Sequence, residues 1–338
     1  MLCLRRTLVH SYHYSAKSAL QCLFVATLLC CSFQLQAQDT EQKKLQRLFV
    51  TATDNSTVEL PEGTFQLNVS LWLDGKKNVI IKGKGMDKTI LNFSNQVSGA
   101  EGIKVTNGQN ITLQDLTVQD TKGDAIKTQH VNGITFRNVK AEWTRGANSK
   151  NGAYGLYPVQ CTNVLIDGCE ARGASDAGIY VGQSNYIIVK NSKAYENVAG
   201  IEIENSMYAD VFDNEATNNT GGILIFDLPD LVQKKGGYIR VFRNNVHHNN
   251  HVNFAPKGNI VGKVPQGTGV MILATNHVDV FENKISNNIT ASTAVVSYYI
   301  TENPIKDSSY YPFPTQINIY NNNYERESVR TTGKGRMG

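Results

Sequence analysis

One pattern constrains this chain more than any other feature. It is an eight-residue unit, mostly apolar at positions 1 and 3, followed by a polar or small pair and a small or apolar position 8, and it recurs eight times. The copies are Ile111–Val118, Ile134–Ala141, Val164–Ala171, Ile187–Ala194, Ala209–Ala216, Ile239–Val246, Val278–Ile285 and Ile317–Tyr324. Their starts lie 23, 30, 23, 22, 30, 39 and 39 residues apart, a coil of about 22 residues with insertions. Self-similarity at such a period marks a solenoid, in which one repeat cannot bury its apolar face alone and stacked repeats can.

A second strand lies in most coils: Ala125–Thr128, Gly155–Pro158, Gly178–Val181, Gly200–Ile203, Gly222–Ile225 and Gly269–Ile272. Strand side chains alternate between faces. Ile126, Leu156, Ile179, Ile201, Ile223 and Val270 therefore point inward, with Val181, Ile203, Ile225 and Ile272 two places on. Position 6 of the first pattern carries Asn214, Asn244, Asn283 and Asn322, preceded by Ser192. Stacked amides bond from coil to coil, so this column is structural. The expected fold is an all-β, single-domain parallel β-helix over residues 55–325.

Flanking segments complete the plan. Residues 1–37 hold Arg5, Arg6, the apolar run Leu20–Leu29 and Ala37, which reads as a signal peptide and implies export to the periplasm or the exterior. Cys30 and Cys31 raise a lipid-anchor alternative that an apolar, cysteine-rich core explains without lipid. Residues 38–54 are expected to form a helical cap, because Leu45, Leu48 and Phe49 have helical spacing and solenoid ends need covering. Residues 326–338 are Gly-rich, basic and free of the pattern, an irregular or truncated tail. No later run reaches the ~18 apolar residues of a membrane span. Residues 1–37 contain three of the 33 basic residues and none of the 29 acidic ones, so the remainder is close to neutral. That balance speaks against nucleic acid as a partner. Cys161 and Cys169 are the cysteines left after residue 37, and Cys169 falls at the inward position 6, so both read as core rather than as a disulfide framework.

The opening segment, the coil pattern and the Gly-Ile-x-Val/Ile strands resemble the pectin-lyase-like right-handed β-helix superfamily. Within it, Ser175–Ser184, Ala199–Ser206 and Asn253–Ile260 resemble a group of exported bacterial β-helix-repeat proteins of unassigned function. The superfamily holds lyases, hydrolases and epimerases of polysaccharides together with adhesins and periplasmic maturation factors, so the resemblance implies a fold and leaves function to the site. The polygalacturonase arrangement of paired aspartates and the pectate-lyase Arg-x-Pro-x-x-Arg are missing. Tyr154–Val159 resembles an alginate-epimerase Tyr-Gly-Phe-Asp-Pro-His segment, with Tyr157 in place of Asp and Val159 in place of His.

The outward positions of the second strand give the candidate site. Just before each inward residue stand Ala125, Gly155, Gly178, Gly200, Gly222 and Gly269, and just after it Lys127, Tyr157, Tyr180, Glu202, Leu224 and Met271. The expectation is a groove with a side-chain-free floor and a raised wall, deepened by the insertions 142–153, 227–237 and 247–266. Coils stack ~4.8 Å apart and alternate residues lie ~6.6 Å apart, so Tyr157, Tyr180 and Glu202 align, with Glu204 on the same face. Aromatic rings and carboxylates suit a sugar polymer, and that Glu202/Glu204 spacing falls at the lower end of the ~6.5–9.5 Å of inverting glycosidases. For a lyase, Tyr180 or Lys127 is the base, and Lys257 or a cation neutralises the substrate carboxylate; for a hydrolase, Glu202 and Glu204 are the acid and base. Asp227 is a further substrate-binding candidate, and Asp176 with Asp227 is a candidate Ca²⁺ pair. His247, His248 and His251 suit a transition metal by type, but with Asn249, Asn250 and Asn253 they read as a polar loop. The expected function is binding of an acidic polysaccharide, with cleavage as a further option. The alternatives are a non-enzymatic solenoid that docks another envelope protein and a periplasmic metal-handling factor.

Overall fold

The structure is a computed structural model that describes residues 41–327; the expected signal peptide and nearly all of the expected tail lie outside the described residues. The chain divides after Leu45 into two compact units, and the strands all belong to the second. Residues 41–50 are helical. Phe49 and Leu45, four residues apart on one helix face, are buried, whereas Leu48 is exposed.

Among the described residues the strands form two parallel sheets, of eighteen and of nine strands, whose neighbours come from successive coils. One coil illustrates the rest. Asn185–Lys190 and Lys193–Tyr195 lie in the first sheet, Ala199–Glu204 lies in the second, and Met207–Phe212 opens the next coil directly above Asn185–Lys190. Parallel strands joined by such crossovers wind right-handed. The result is the all-β, right-handed parallel β-helix expected from the repeat.

The eight-residue pattern maps onto this geometry position by position. Positions 1 and 3 point inward, and Ile187, Ala209, Ile239, Val278 and Ile317 pair in one continuous column. Position 5 is the bend: Asn191, Asp213, Arg243, Glu282 and Asn321 all take positive φ, between 51° and 55°. Position 6 then turns its amide inward. Asn214 donates from its backbone N–H and from Nδ2 to Asn244 Oδ1, at 3.1 and 3.0 Å, and Asn244 does the same to Asn283. In the second sheet Ile126, Leu156, Ile179, Ile201, Ile223 and Val270 are all fully buried. Each such side chain is worth about 1.5–3 kcal/mol of burial, and a one-residue register slip would turn the whole column to solvent.

A second amide ladder runs through the core at the next corner. Asn197, Asn219, Asn249 and Asn288 are buried and bond from one to the next, each Nδ2 also donating to a strand carbonyl of a neighbouring coil. Asn249 is therefore core and not part of a polar loop. Cys161 and Cys169 are free and buried, as expected, and burial pushes the Cys169 thiol up to about 12.

Candidate functional site

The outward face of the second sheet carries two columns. Lys104, Lys127 and Tyr157 stand on successive coils, and Tyr180, Glu202, Leu224, Met271 and Ala294 continue the line. Two places on stand Gln129, Val159, Gly182, Glu204, Phe226 and Leu273. The face is polar at its early coils and apolar from Leu224 onward, a division that decides where a ligand can reach.

Two expectations about this face are corrected. The glycine column is not an outward floor. A Cβ on Gly178, Gly200 or Gly222 would strike the inner Asn197, Asn219 or Asn249 amide, so these glycines sit at a coil corner that presses on the second ladder. Nor does the 247–266 insertion deepen a groove; it covers one. Val261 and Val264 are buried in a cluster with Tyr180, Leu224, Met271 and Leu273, and Val264 fits because Gly221 beneath it has no side chain. Asn259 Nδ2 donates to Asp176 Oδ2 at 2.9 Å and fastens the covering segment to a coil far earlier in the chain. Lys257 is exposed on this segment, next to Gly258, which takes φ +100°.

Beneath the cover lies a cluster of tyrosines and carboxylates. Tyr154 packs against Tyr157 and Tyr180 at 4.4 and 4.5 Å between ring centroids, and Tyr157 meets Tyr180 edge-on at 5.0 Å. The Tyr180 ring lies across Gly182, where any Cβ would collide with it, and its hydroxyl donates to Glu204 Oε1 at 2.6 Å. Lys127 Nζ sits 4.9 Å from the centre of the Tyr157 ring. Tyr180 is 4 % exposed and Glu202 1 %, whereas Tyr154, Tyr157, Glu204, Asp124 and Lys127 are half-buried. The structure thus brings Lys127, Tyr157, Tyr180, Glu202 and Glu204 onto one face, as expected, and seals Tyr180 and Glu202 beneath their neighbours.

Burial governs the charge state of this cluster. It pushes Glu204, Asp176 and Asp227 up to about 7 and Asp124 up to about 6, with neighbouring carboxylates adding to the shift at Asp176. The Tyr180 hydroxyl works the other way on Glu204. Glu202 is held well above the usual carboxylate range: it is buried, it feels Asp176 and Glu204, and its Oε2 has no hydrogen-bond partner. A charge there would be uncompensated, so Glu202 is held as the neutral acid. Burial likewise raises Tyr154, Tyr157 and Tyr180.

These carboxyls bind protons more tightly in the fold than in the unfolded chain, so their contribution is complete below about pH 4 and is lost as pH rises through about 6–7. Each tenfold change in affinity is worth about 1.4 kcal/mol. Tm should therefore fall by roughly 10 °C between about pH 5.5 and 8.5, as read by differential scanning calorimetry. A flat profile over that window would show that the cluster is solvated.

Asp176 and Asp227 have different surroundings. Among the described residues no group of three His, Cys, Asp or Glu side chains is spaced to hold a metal ion. Asp176 is engaged by Asn259, while Asp227 lines a separate cavity of about 490 Å³ with Lys234, Lys235 and Tyr310. His247 bonds Glu215 and His248, and His251 bonds the Val252 carbonyl.

Sequence reasoning missed two aromatic columns on the first sheet. Tyr186, Tyr208, Tyr238 and His277 stack just before position 1 of successive copies, and Phe212, Phe242, Phe281 and Tyr320 stack at position 4. Aligning the copies by column, rather than reading each as a strand, would have found both.

Comparison with known proteins agrees with this architecture. The pre-neck appendage protein of Bacillus phage B103 is 25 % identical over 203 residues, 49 % of this chain and 23 % of that protein, so the chain spans less than a quarter of that relative's length. Among solved structures, the A-module of a mannuronan C-5 epimerase from Azotobacter vinelandii superposes with a TM-score of 0.53 at 15 % identity, over 87 % of this chain and 94 % of that one. The tailspike protein of E. coli bacteriophage HK620, in complex with a pentasaccharide, gives 0.53 at 14 % identity over 88 % and 60 %. An alginate lyase gives 0.52 at 12 % identity over 87 % and 60 %. The profile of the right-handed β-helix region matches residues 52–229 and 145–308, and with the coil register described above the chain belongs to the right-handed β-helix family.

Proposed function

We propose that this protein works outside the cytoplasm, binds an acidic polysaccharide along the early coils of the second sheet, and cleaves it with Glu204 as the proton-transfer group. The observation that carries the reading is Glu204 itself. It is a half-buried carboxyl raised to about 7, held by the Tyr180 hydroxyl, beside the half-buried rings of Tyr154 and Tyr157. A group of that affinity both takes and returns a proton near neutral pH. Lys127, over the Tyr157 ring, supplies positive charge for the carboxylates of a polymer laid along the axis. The epimerase, the lyase and the pentasaccharide-bound tailspike support a polysaccharide as the ligand class.

Elimination fits the site better than hydrolysis. Hydrolysis needs two carboxyls flanking one bond, ~6.5–9.5 Å apart in inverting and ~5–5.5 Å apart in retaining enzymes. Glu202 and Asp176 are buried, Asp176 being engaged by Asn259, and Asp124 stands three coils from Glu204, ~14 Å by coil rise alone. Elimination asks for one group that takes the proton beside the uronate carboxylate and returns it to the departing glycosidic oxygen as the C=C bond forms and the C–O bond breaks, which Glu204 provides, and for a neutraliser of that carboxylate, the role we assign to the exposed Lys257 on the covering segment. Tyr180 is then a positioning residue, since burial makes it a poor base.

The test is incubation with a panel of polyuronates and neutral polysaccharides, following absorbance at ~235 nm and reducing ends in parallel. A rise in absorbance with polyuronates is expected. Reducing ends alone would replace elimination by hydrolysis. Neither binding nor cleavage across the panel would overturn the reading and leave the partner-docking solenoid.

A further inference from the structure

The first sheet carries a trough of about 990 Å³ that the reading above does not use. One wall is the stack of Tyr186, Tyr208, Tyr238 and His277, with ring centroids 5.3, 5.2 and 4.3 Å apart and planes within 23° of parallel. Two residues on, the floor runs Ile188, Asp210, Arg240 and Asp279 on successive coils. Beyond the floor stands the second stack, Phe212, Phe242 and Phe281, at 4.9 and 5.0 Å.

Stability alone does not account for the tyrosine wall. Tyr186, Tyr208 and Tyr238 take φ of 58–59°, a left-handed conformation that costs a side chain with a Cβ about 1–2 kcal/mol and that is an outlier for bulky residues. The earlier coils fill the same place with Asn110, Gly133 and Asn163, the residue types that tolerate it. Ring stacking returns about 0.5–1.5 kcal/mol per pair, yet the tyrosines remain 57, 47 and 46 % exposed. Strained, exposed aromatic residues repeated on a rigid scaffold point to a ligand.

The chemistry of the trough selects the ligand. Its floor charges are already matched: Arg240 grips Asp210 through Nε and Nη2 at 2.7 and 2.5 Å, and Asp279 accepts from Asn318 at 2.8 Å. A floor so compensated offers a polyanion nothing, but its remaining lone pairs and the phenol hydroxyls suit a chain of neutral hydroxyl groups. Sugar rings add apolar C–H faces for the aromatic wall, and its recurrence once per coil suits a polymer of regular repeats. We propose that this trough is a second, non-catalytic site that binds an uncharged polysaccharide chain lying along the coil axis.

The test is affinity electrophoresis in gels containing hydroxyethylcellulose, galactomannan or dextran, with alginate for comparison. At least one neutral polymer should retard the wild-type protein. Tyr208→Asn with Tyr238→Asn should weaken that retardation at least tenfold, and because asparagine fills this column in other coils, Tm should be unchanged. Glu204→Gln and Lys127→Ala should keep the neutral-polymer retardation, which separates this site from the one on the second sheet. Retardation by none of the neutral polymers, or retardation that survives the tyrosine double variant, would overturn the proposal. So would wild-type self-association that the double variant abolishes while neutral polymers have no effect, which would make the face a contact between copies.

Discussion

Glu204→Gln should lower the turnover of a cleaved polyuronate by about 10²–10⁴-fold, the usual contribution of a positioned acid or base, while leaving KM within a few-fold. Glutamine keeps an oxygen to accept from Tyr180 and removes only the titrating proton, so the fold and the polymer contacts stay. Tyr180→Phe gives the complementary result. The lost hydrogen bond favours the carboxylate form, so without it Glu204 ionises at higher pH and the acidic limb of the kcat/KM profile should move up. An unchanged limb would show that Tyr180 does not position Glu204. Equal activity of wild-type and Glu204→Gln would remove Glu204 from the chemistry.

The largest effect on stability is expected at Asn219→Leu. Asn219 Oδ1 accepts from the backbone N–H and the Nδ2 of Asn197, each at 3.0 Å, and its Nδ2 donates to the Ala194 carbonyl and to Asn249 Oδ1, each at 2.9 Å. Leucine has similar bulk and satisfies none of these. Each orphaned buried polar group costs about 1–3 kcal/mol, so several together should cost about 4 kcal/mol or more and lower Tm by roughly 10 °C. Asn322→Leu is the control. That residue ends the other ladder half-buried among the described residues and bonds the Asn283 backbone N–H and Nδ2, so its loss should cost less than half as much. Equal losses in calorimetry would mean that burial does not set the worth of a ladder amide.

The repeat was legible because its physics is local and periodic. Ile179, Ile201 and Ile223 must face inward if strands alternate and coils stack, and position 6 carries an amide that only a neighbour one coil away can satisfy. What was not legible depended on the corner and on distant segments. Strict alternation places Gly178 and Gly200 outward, but a bend at the strand start turns their Cα hydrogens toward the Asn197 and Asn219 amides. The register shows the same break, since Ala177 pairs with Ala199 and Ile179 with Ile201 while the glycines between them are left out. The cover over Tyr180 and Leu224 comes from residues 261 and 264, and nothing in the coil pattern says on which face an insertion will fold. Glu202 therefore read as an exposed partner of Glu204, whereas it is a sealed neutral acid behind it.

Solenoids commonly unravel one repeat at a time, because each repeat touches only its neighbours. The bond from Asn259 to Asp176 and that from the Tyr310 hydroxyl to the Asp227 carbonyl each join positions 83 residues apart, and the two spans overlap. Under tension applied to its ends, the stretch from 176 to 310 is tied as one block. A pulling trace should show it yielding in a single long extension, with the coils before it peeling away in shorter steps.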